Sequence, residues 1–231
     1  MQIKSEVLQN QKLNYKFHLI KLKAKKEGFN FKPGQFVTLK VTNSIFRCYS
    51  IFSSPDTLPI WEVFVDITPG GPGTTYLKKL KRGDIIETSF PTGIFVHQKD
   101  GSKNIILAGT GCGIAPLLPI LEKASEDKKN KNIILLWGLR FKKDIVLKDS
   151  LKKLAMKYTK FHYNIILSQP EEKWSGNTGH VQKYIIGSLQ GVSPKETSLY
   201  LTGSGDFIKE TLKDLQKRKI SPAHIYLEKY Y

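Results

Sequence analysis

Apolar and polar residues change rhythm once along this chain. Up to about Val96 the apolar positions come in short alternating runs: Tyr15, Phe17 and Leu19 alternate with polar neighbours, as do Trp61, Val63 and Val65, which is the period of half-buried strands. The segments PGQFVTLKV (33–41), RCYSIF (47–52) and GDIIETSF (83–90) add strands, each bounded by Pro, Gly or Asp turn signals. About six such strands with one short helix predict a small antiparallel barrel. The polar stretch HQKDGSKN, residues 97–104, reads as a linker.

Beyond it the apolar residues form continuous runs, NIILAG, NIILLWG, FHYNIIL, SLYLT and HIYL, the pattern of buried parallel strands. Between them Leu147, Leu151, Leu154 and Tyr158 recur at helical spacing, and so do Ile208, Leu212 and Leu215. The chain therefore divides into an antiparallel β-barrel domain over 1–98 and a doubly wound α/β domain with a parallel sheet over 103–231.

Composition excludes more than it assigns. With 231 residues, 40% apolar and 25% charged, the chain can bury sizeable cores and is neither disordered nor a coiled-coil rod. No apolar run approaches the roughly 18 residues of a membrane helix. The opening MQIKSEVLQN lacks a signal-peptide core, and Cys48 and Cys112 stand far apart, so a reduced, cytoplasmic protein is expected. Two cysteines cannot ligate an iron–sulfur cluster, and no zinc spacing occurs among them or among His18, His97, His162, His180 and His224. Any metal should sit on a partner.

The net charge of +17 would steer acidic partners. Only four of the 37 basic residues are arginine, however: Arg47, Arg82, Arg140 and Arg218. The lysine clusters Lys23, Lys25, Lys26 and Lys128, Lys129, Lys131 fall in apparent turns. That distribution favours a solvated surface over a nucleic-acid face.

Candidate chemistry lies in loops. Two strands of the α/β half run into GTGCGIAP and TGSGDF. In the first, Gly109, Gly111 and Gly113 let a backbone approach a pyrophosphate, and Pro116 suits a first helical turn, although tight packing uses glycines too. In the barrel half, RCYS places Arg47, Tyr49 and Ser50 near GGPGTTYL; read singly these are an ion pair, a core ring and a strand hydroxyl. Taken together, an arginine, a ring and a hydroxyl facing a Gly-rich anion loop suggest an aromatic ligand that carries phosphate.

On these motifs the chain resembles the ferredoxin-NAD(P) reductase family over nearly its whole length. The family's ordered strings are matched by Arg47 to Ser50, Gly71 to Thr74, Gly111 to Pro116 and Thr202 to Asp206. The resemblance implies an FAD-binding barrel and a nicotinamide-nucleotide domain, with flavin at their interface. It further implies that Arg47, Gly73 and Thr74 bind the FAD pyrophosphate, that Tyr49 packs on the flavin ring, and that Ser50 reaches flavin N5. Cys48, Val65, Ile67, Gly71 and Pro72 would complete that site. Gly111, Cys112, Gly113 and Pro116, with Gly203, Ser204 and Asp206 opposite, would flank the nicotinamide nucleotide. Glu228 and Tyr230, with Tyr231 beyond, would stand where the family has an acidic residue and a ring over the flavin. Ser50, Thr202 and Glu228 are thus the candidate catalytic residues.

Two departures matter. Thr202 occupies the family's cysteine position, and Ser168-Gln169 replaces the Ser-Arg that holds a 2′-phosphate, which favours NADH over NADPH; Arg140 and Lys173 remain as other phosphate partners. The expected function is an FAD-dependent NAD(P)H oxidoreductase that passes electrons to a separate, acidic acceptor such as ferredoxin or flavodoxin. The alternative is a flavin-carrying electron-transfer or regulatory subunit of a larger redox complex.

Overall fold

The computed structural model describes residues 2–126, 131–217 and 222–230, so Lys128, Lys129, Arg218 and Tyr231 lie outside the described residues. Two compact units form, one of Met1–His97 with Leu118–Ile120, the other of Gln98–Leu117 with Leu121–Tyr231. The first unit contains β1 (Gln2–Lys12), β2 (Phe17–Ala24), β3 (Phe36–Lys40), β4 (Phe46–Ser50), β5 (Ile60–Asp66), α1 (Pro72–Lys79) and β6 (Ile85–Ser89). In the second are β7 (Asn104–Thr110), α2 (Ile114–Ser125), β8 (Asn132–Leu139), α3 (Lys148–Lys157), β9 (Phe161–Leu167), β10 (Asn177–Thr178), α4 (Val181–Ser188), β11 (Thr197–Ser204), α5 (Gly205–Lys217) and β12 (Ile225–Tyr230).

The first sheet runs β4-β3-β6-β1-β2-β5, with every pairing antiparallel. An antiparallel bridge between Ile51 and Val63 and the Phe52 N–H donating to Glu62 O (2.8 Å) join its two edges and close a barrel. Closure removes the free edges that would otherwise pair with other chains. The core gathers Ile3, Val7, Ile20, Leu22, Val37, Leu39, Trp61, Val63 and Ile86. Strand β1 does not stand out in the sequence because its inward row includes Ser5. That buried hydroxyl accepts from Trp61 Nε1 at 3.2 Å, so a polar residue serves a core position.

The alternation at Tyr15, Phe17 and Leu19 marks the wrong face. The β2 and β5 register pairs Ile20 with Val63 and Leu22 with Trp61, so the even-numbered side chains enter the barrel core. Phe17 is buried instead against Phe64, ring centroids 4.8 Å apart, and Tyr15 sits exposed in the turn before β2. Helix α1 begins on Pro72, buries Leu77 and ends beside β1, where Asn10 Nδ2 donates to the carbonyls of Leu77 (2.9 Å) and Leu80 (3.0 Å). That amide satisfies the Leu80 carbonyl and shares the Leu77 carbonyl with the Leu80 N–H, which donates to it at 3.3 Å.

The second sheet runs β10-β9-β8-β7-β11-β12 and is parallel throughout. From β7 the chain builds outward through β8 to β9 and then returns to place β11 on the other side of β7. The C-terminal ends of β7 and β11 therefore flank a switch point, where open α/β sheets bind ligands. One sheet face packs Ile106, Ala108, Leu136, Leu199 and Leu201 against Val181, Ile185, Phe207 and Ile208 of α4 and α5.

Among the described residues no helix is long and apolar enough to cross a membrane, and no group of three His, Cys, Asp or Glu side chains is placed to hold a metal. Several lysines depart from a uniformly solvated surface. Lys131 is buried just before β8, Lys25 pairs with Glu6 at 3.2 Å, and Lys26 lies over the Phe90 ring.

Candidate functional site

Strand pleating sorts the RCYS string. Arg47 pairs with Leu39 and Tyr49 with Val37, which puts Arg47 and Tyr49 on one face of the sheet. Cys48 and Ser50 pair with Thr38 and Phe36 on the other face, so the hydroxyl of Ser50 does not share the side of the arginine and the ring. Cys48 is exposed, its Sγ 3.6 Å from Thr38 Oγ1, and Ser50 is buried.

Against Arg47 and Tyr49 lies the start of α1. A side chain at Gly73 would run into the Tyr49 hydroxyl and come within 2.8 Å of Arg47 Cγ, so only glycine lets the backbone rest there. Gly71 caps the helix without a side-chain bond, Pro72 has no N–H to satisfy, and Thr74 Oγ1 donates to Gly71 O at 3.1 Å. The amides of Gly73 and Thr74 thus start a helix whose first turn has no acidic residue, beside an exposed arginine. The stem of Arg47 packs against this helix start, and its Nη1 donates to Phe46 O at 2.8 Å; helix-end amides and a neighbouring exposed guanidinium are a donor set that fits a phosphate. Val65 belongs to the barrel core, and Ile67, like Tyr49, packs partly buried against it.

In the second unit the two glycine loops meet. Gly109 and Thr202 are register partners on adjacent strands, and a Cβ on Gly113 would sit 2.8 Å from Thr202 O and 3.3 Å from its Oγ1. One on Gly109 would meet Gly113 O and Leu117, and one on Gly203 would meet Thr110 Oγ1 and Phe207. These three glycines serve close packing of the loops. Gly111 differs: its φ is +55°, nothing crowds its Cβ direction, and its carbonyl accepts from Trp137 Nε1 at 2.8 Å. The loop is anchored to β8 while Gly111 and Cys112 stay partly exposed.

The two helix starts are not equivalent. No acidic residue occupies the first turn of α2, whereas α5 carries Asp206 there and is capped by Ser204 Oγ, which accepts from the Phe207 N–H at 3.3 Å. A pyrophosphate therefore fits the start of α2 and not that of α5. Pro116 is buried inside the first turn of α2 and shapes the helix without lining a surface.

Thr202 is fully buried, and its Oγ1 makes no hydrogen bond. An orphan hydroxyl at the end of a strand is a cost the fold keeps, and a hydrogen-bonding ligand would relieve it. Glu228 is the register partner of Thr202 across β11 and β12, and Tyr230 that of Ser204, both partly buried. At the next sheet positions, Arg140 follows β8 and Ser168-Gln169 follows β9, joined by the Gln169 N–H donating to Arg140 O at 2.9 Å. Nothing in the string HQKDGSKN, which looks like a solvated turn, marks Asp100 in the sequence.

Residues 4–97 match the family model described as an oxidoreductase FAD-binding domain, and residues 107–213 the one described as an oxidoreductase NAD-binding domain. The chain is 28% identical over 212 residues to ferredoxin--NADP reductase B of Sorangium cellulosum, covering 88% of this chain and 87% of that protein. It is 30% identical over 202 residues to the toluate 1,2-dioxygenase electron transfer component of Pseudomonas putida, covering 87% of this chain and 59% of the relative. A ferredoxin NADP+ reductase from Neisseria gonorrhoeae with bound FAD and NADP superposes with a TM-score of 0.85 at 21% identity, covering 100% of this chain and 99% of that one. The Amycolatopsis cytochrome P450 reductase GcoB gives 0.89 at 24% identity, over 99% of this chain and 69% of that one.

Proposed function

Because the chain belongs to the ferredoxin-NAD(P) reductase-like family of FAD- and NAD-binding oxidoreductases, we propose that it oxidises a nicotinamide dinucleotide, NADH in preference to NADPH, and hands the electrons to a separate acidic acceptor such as ferredoxin or flavodoxin. The observation that carries this reading is the contact of Gly73 with Arg47 and Tyr49, which assembles a phosphate cradle beside an aromatic ring. When bound, FAD supplies the redox chemistry, taking a hydride and releasing electrons singly or in pairs.

The side chains have distinct tasks. Arg47 and the Gly73 and Thr74 amides hold the FAD phosphates, Tyr49 offers its ring to the flavin, and Ser50 offers a hydroxyl from the other strand face. The start of α2, with Gly111 and Cys112, holds the nicotinamide nucleotide. Thr202 and Glu228, adjacent on one sheet face, orient the reacting ring. No acid–base dyad is required, because alignment of two rings supplies the rate. A reducing, cytoplasmic setting suits the two free cysteines.

A second reading is favoured by one observation: the chain spans 59% of the toluate 1,2-dioxygenase electron transfer component it resembles, so it could serve as the flavin module of a larger redox assembly. A visible spectrum of the purified protein before and after anaerobic NADH and NADPH tests the main reading. Flavin absorbance bleached by NADH, with FAD released on heating and reduction of a one-electron dye by the isolated chain, is the expected result. A colourless protein that binds no added FAD overturns it, and flavin that bleaches without passing electrons to the dye favours the module.

A further inference from the structure

At the N-terminal ends of β11 and β12, away from the glycine loops, the chain holds a carboxylate. Asp100 lies in the segment before β7. Its Oδ2 accepts from the Ser198 hydroxyl and from Tyr226 Oη at 2.8 Å, and its Oδ1 from the Ser102 N–H at 3.0 Å. The Nδ1 of His224 stands 3.5 Å from Oδ2, and Ser102 and Ser198, both buried, are 2.7 Å apart through their hydroxyl oxygens. Close by, the Gln98 N–H donates to Tyr200 Oη at 2.9 Å, and the Tyr200 and Tyr226 rings pack with centroids 4.8 Å apart. Burial opposes the charge on Asp100, but the hydrogen bonds from Ser198, Ser102 and Tyr226 outweigh it and hold the carboxyl well below the usual range. Burial, then the bond to Asp100, pushes the Tyr226 hydroxyl up to about 12. An anionic acceptor and a neutral donor therefore persist across ordinary pH.

This arrangement bears on the edge of the sheet. Strand β12 is joined to the sheet through β11 alone. Tyr200 pairs with Tyr226 and Thr202 with Glu228, two residues further along the same face. A slip of one residue in β12 would carry Glu228 to the opposite face, because side chains alternate with period two. Backbone ladder bonds repeat along a parallel pair and do not by themselves exclude that slip. A side-chain bond from Tyr226 to a carboxylate that is also held by Ser198 of β11 does.

We propose that Asp100 is a positioning residue: by clasping Tyr226 to Ser198 it fixes the register of β12 on β11 and so keeps the Glu228 carboxylate beside the Thr202 hydroxyl. Its functional consequence rests on the reading of Glu228 and Thr202 given under Proposed function; the register claim itself does not.

Two arms test it on the full-length protein. In the first, amide hydrogen exchange of residues 225–230 is followed without added nucleotide in wild type, Asp100→Asn and Tyr226→Phe, the last keeping the ring and losing only the bond. Exchange in β12 should rise about tenfold while β7, β8 and β9 keep their protection, as expected for local opening of one element. Unchanged β12 protection in Tyr226→Phe, or an equal rise across the whole sheet, overturns the clasp. In the second arm, flavin reduction at saturating NADH is measured in a double-mutant cycle. Asp100→Asn should slow reduction about tenfold with FAD content and KM kept, since small misplacements cost rate at aligned sites. It should add nothing in a Glu228→Gln background. Effects that multiply mean that Asp100 does not act through Glu228. If Glu228→Gln is itself without effect, the catalytic reading of Glu228 fails while the exchange arm still decides the register.

Discussion

Arg140 donates through Nε to Oε1 of Gln169 at 2.9 Å, tying the loop that leaves β8 to the loop that leaves β9. The guanidinium also lies 5.3 Å from the Phe141 ring centroid. Gln169, at the position where the sequence departs from a Ser-Arg pair, is thus engaged with the arginine that follows the neighbouring strand, and it spends one of that group's five donors.

From this pair we expect kcat/KM to be higher for NADH than for NADPH. Gln169→Arg places a second fork beside Arg140 and should narrow the gap by about 10-fold or more, as one charge-assisted hydrogen bond is worth about 1.5–3 kcal/mol. Steady-state kinetics with both nucleotides check it. A wild-type preference for NADPH would show that Arg140 alone suffices for the extra phosphate.

Arg47→Ala should release FAD. Arg47 brings a charged side chain to the Gly73 cradle, and its loss should weaken FAD binding about 10- to 100-fold. Gly73→Ala should do the same through collision with Tyr49 and Arg47, with the barrel still folded by circular dichroism. Flavin content after gel filtration reads both variants, and full retention in Arg47→Ala would move the phosphate site elsewhere.

Replacing Thr202 separates stability from rate. Its hydroxyl is buried without a partner, so Thr202→Val should leave the melting temperature unchanged or raise it, by about 1 kcal/mol of stability at most. The same change should slow flavin reduction without loss of FAD, while Thr202→Cys keeps or raises the rate. Stopped-flow traces that coincide for all three proteins at saturating NADH would leave Thr202 a strand-ending residue only.

Stability should fall with pH in two steps. His18 is buried, and burial first, then Lys12 and Lys78, lower its pKa from the ordinary value near 6.5, so the unfolded chain binds a proton that the folded one resists. That contribution is present above about pH 6.5 and is lost as pH drops below it. Asp100, shifted down, loses its contribution only as pH falls below the ordinary carboxylate value near 4. Denaturant melts between pH 8 and 5 should show a shallower decline for His18→Gln than for wild type; parallel declines would clear His18 of the first step.

Electron transfer to an acidic protein acceptor should weaken with salt. Several barrel lysines are neutralised locally, Lys16 by Asp66, Lys21 by Glu62 and Lys40 by Glu87. Lys12, Lys78, Lys79, Lys81 and Arg82, exposed around the end of α1, have no ion pair among the described residues and leave a net positive field there. Exposed charges are screened beyond about 10 Å at 0.1 M salt. Flavodoxin reduction by NADH should therefore drop several-fold from 20 to 300 mM NaCl, and Lys78→Glu with Lys79→Glu should flatten that slope. A rate indifferent to both would make the lysines compositional.

Much of this protein is local and could be read along the chain. Apolar runs such as NIILLWG announce strands buried on both faces because burial there is decided by residue type alone. The order of RCYS, GGPGTT, GTGCGIAP and TGSGDF carries the family because each string meets its own backbone requirement at a turn. What the chain could not announce depends on register and on distant partners. Ser5 hides a strand until Trp61 is seen to need it. The side of Ser50 follows from its pairing with Phe36, and the inward row of β2 from its pairing with β5. Asp100 reads as solvent-exposed until Ser198, 98 residues away, and Tyr226 close around it. The tertiary structure decides these cases because a polar residue's burial depends on whether donors arrive from elsewhere, and only the completed sheet brings them.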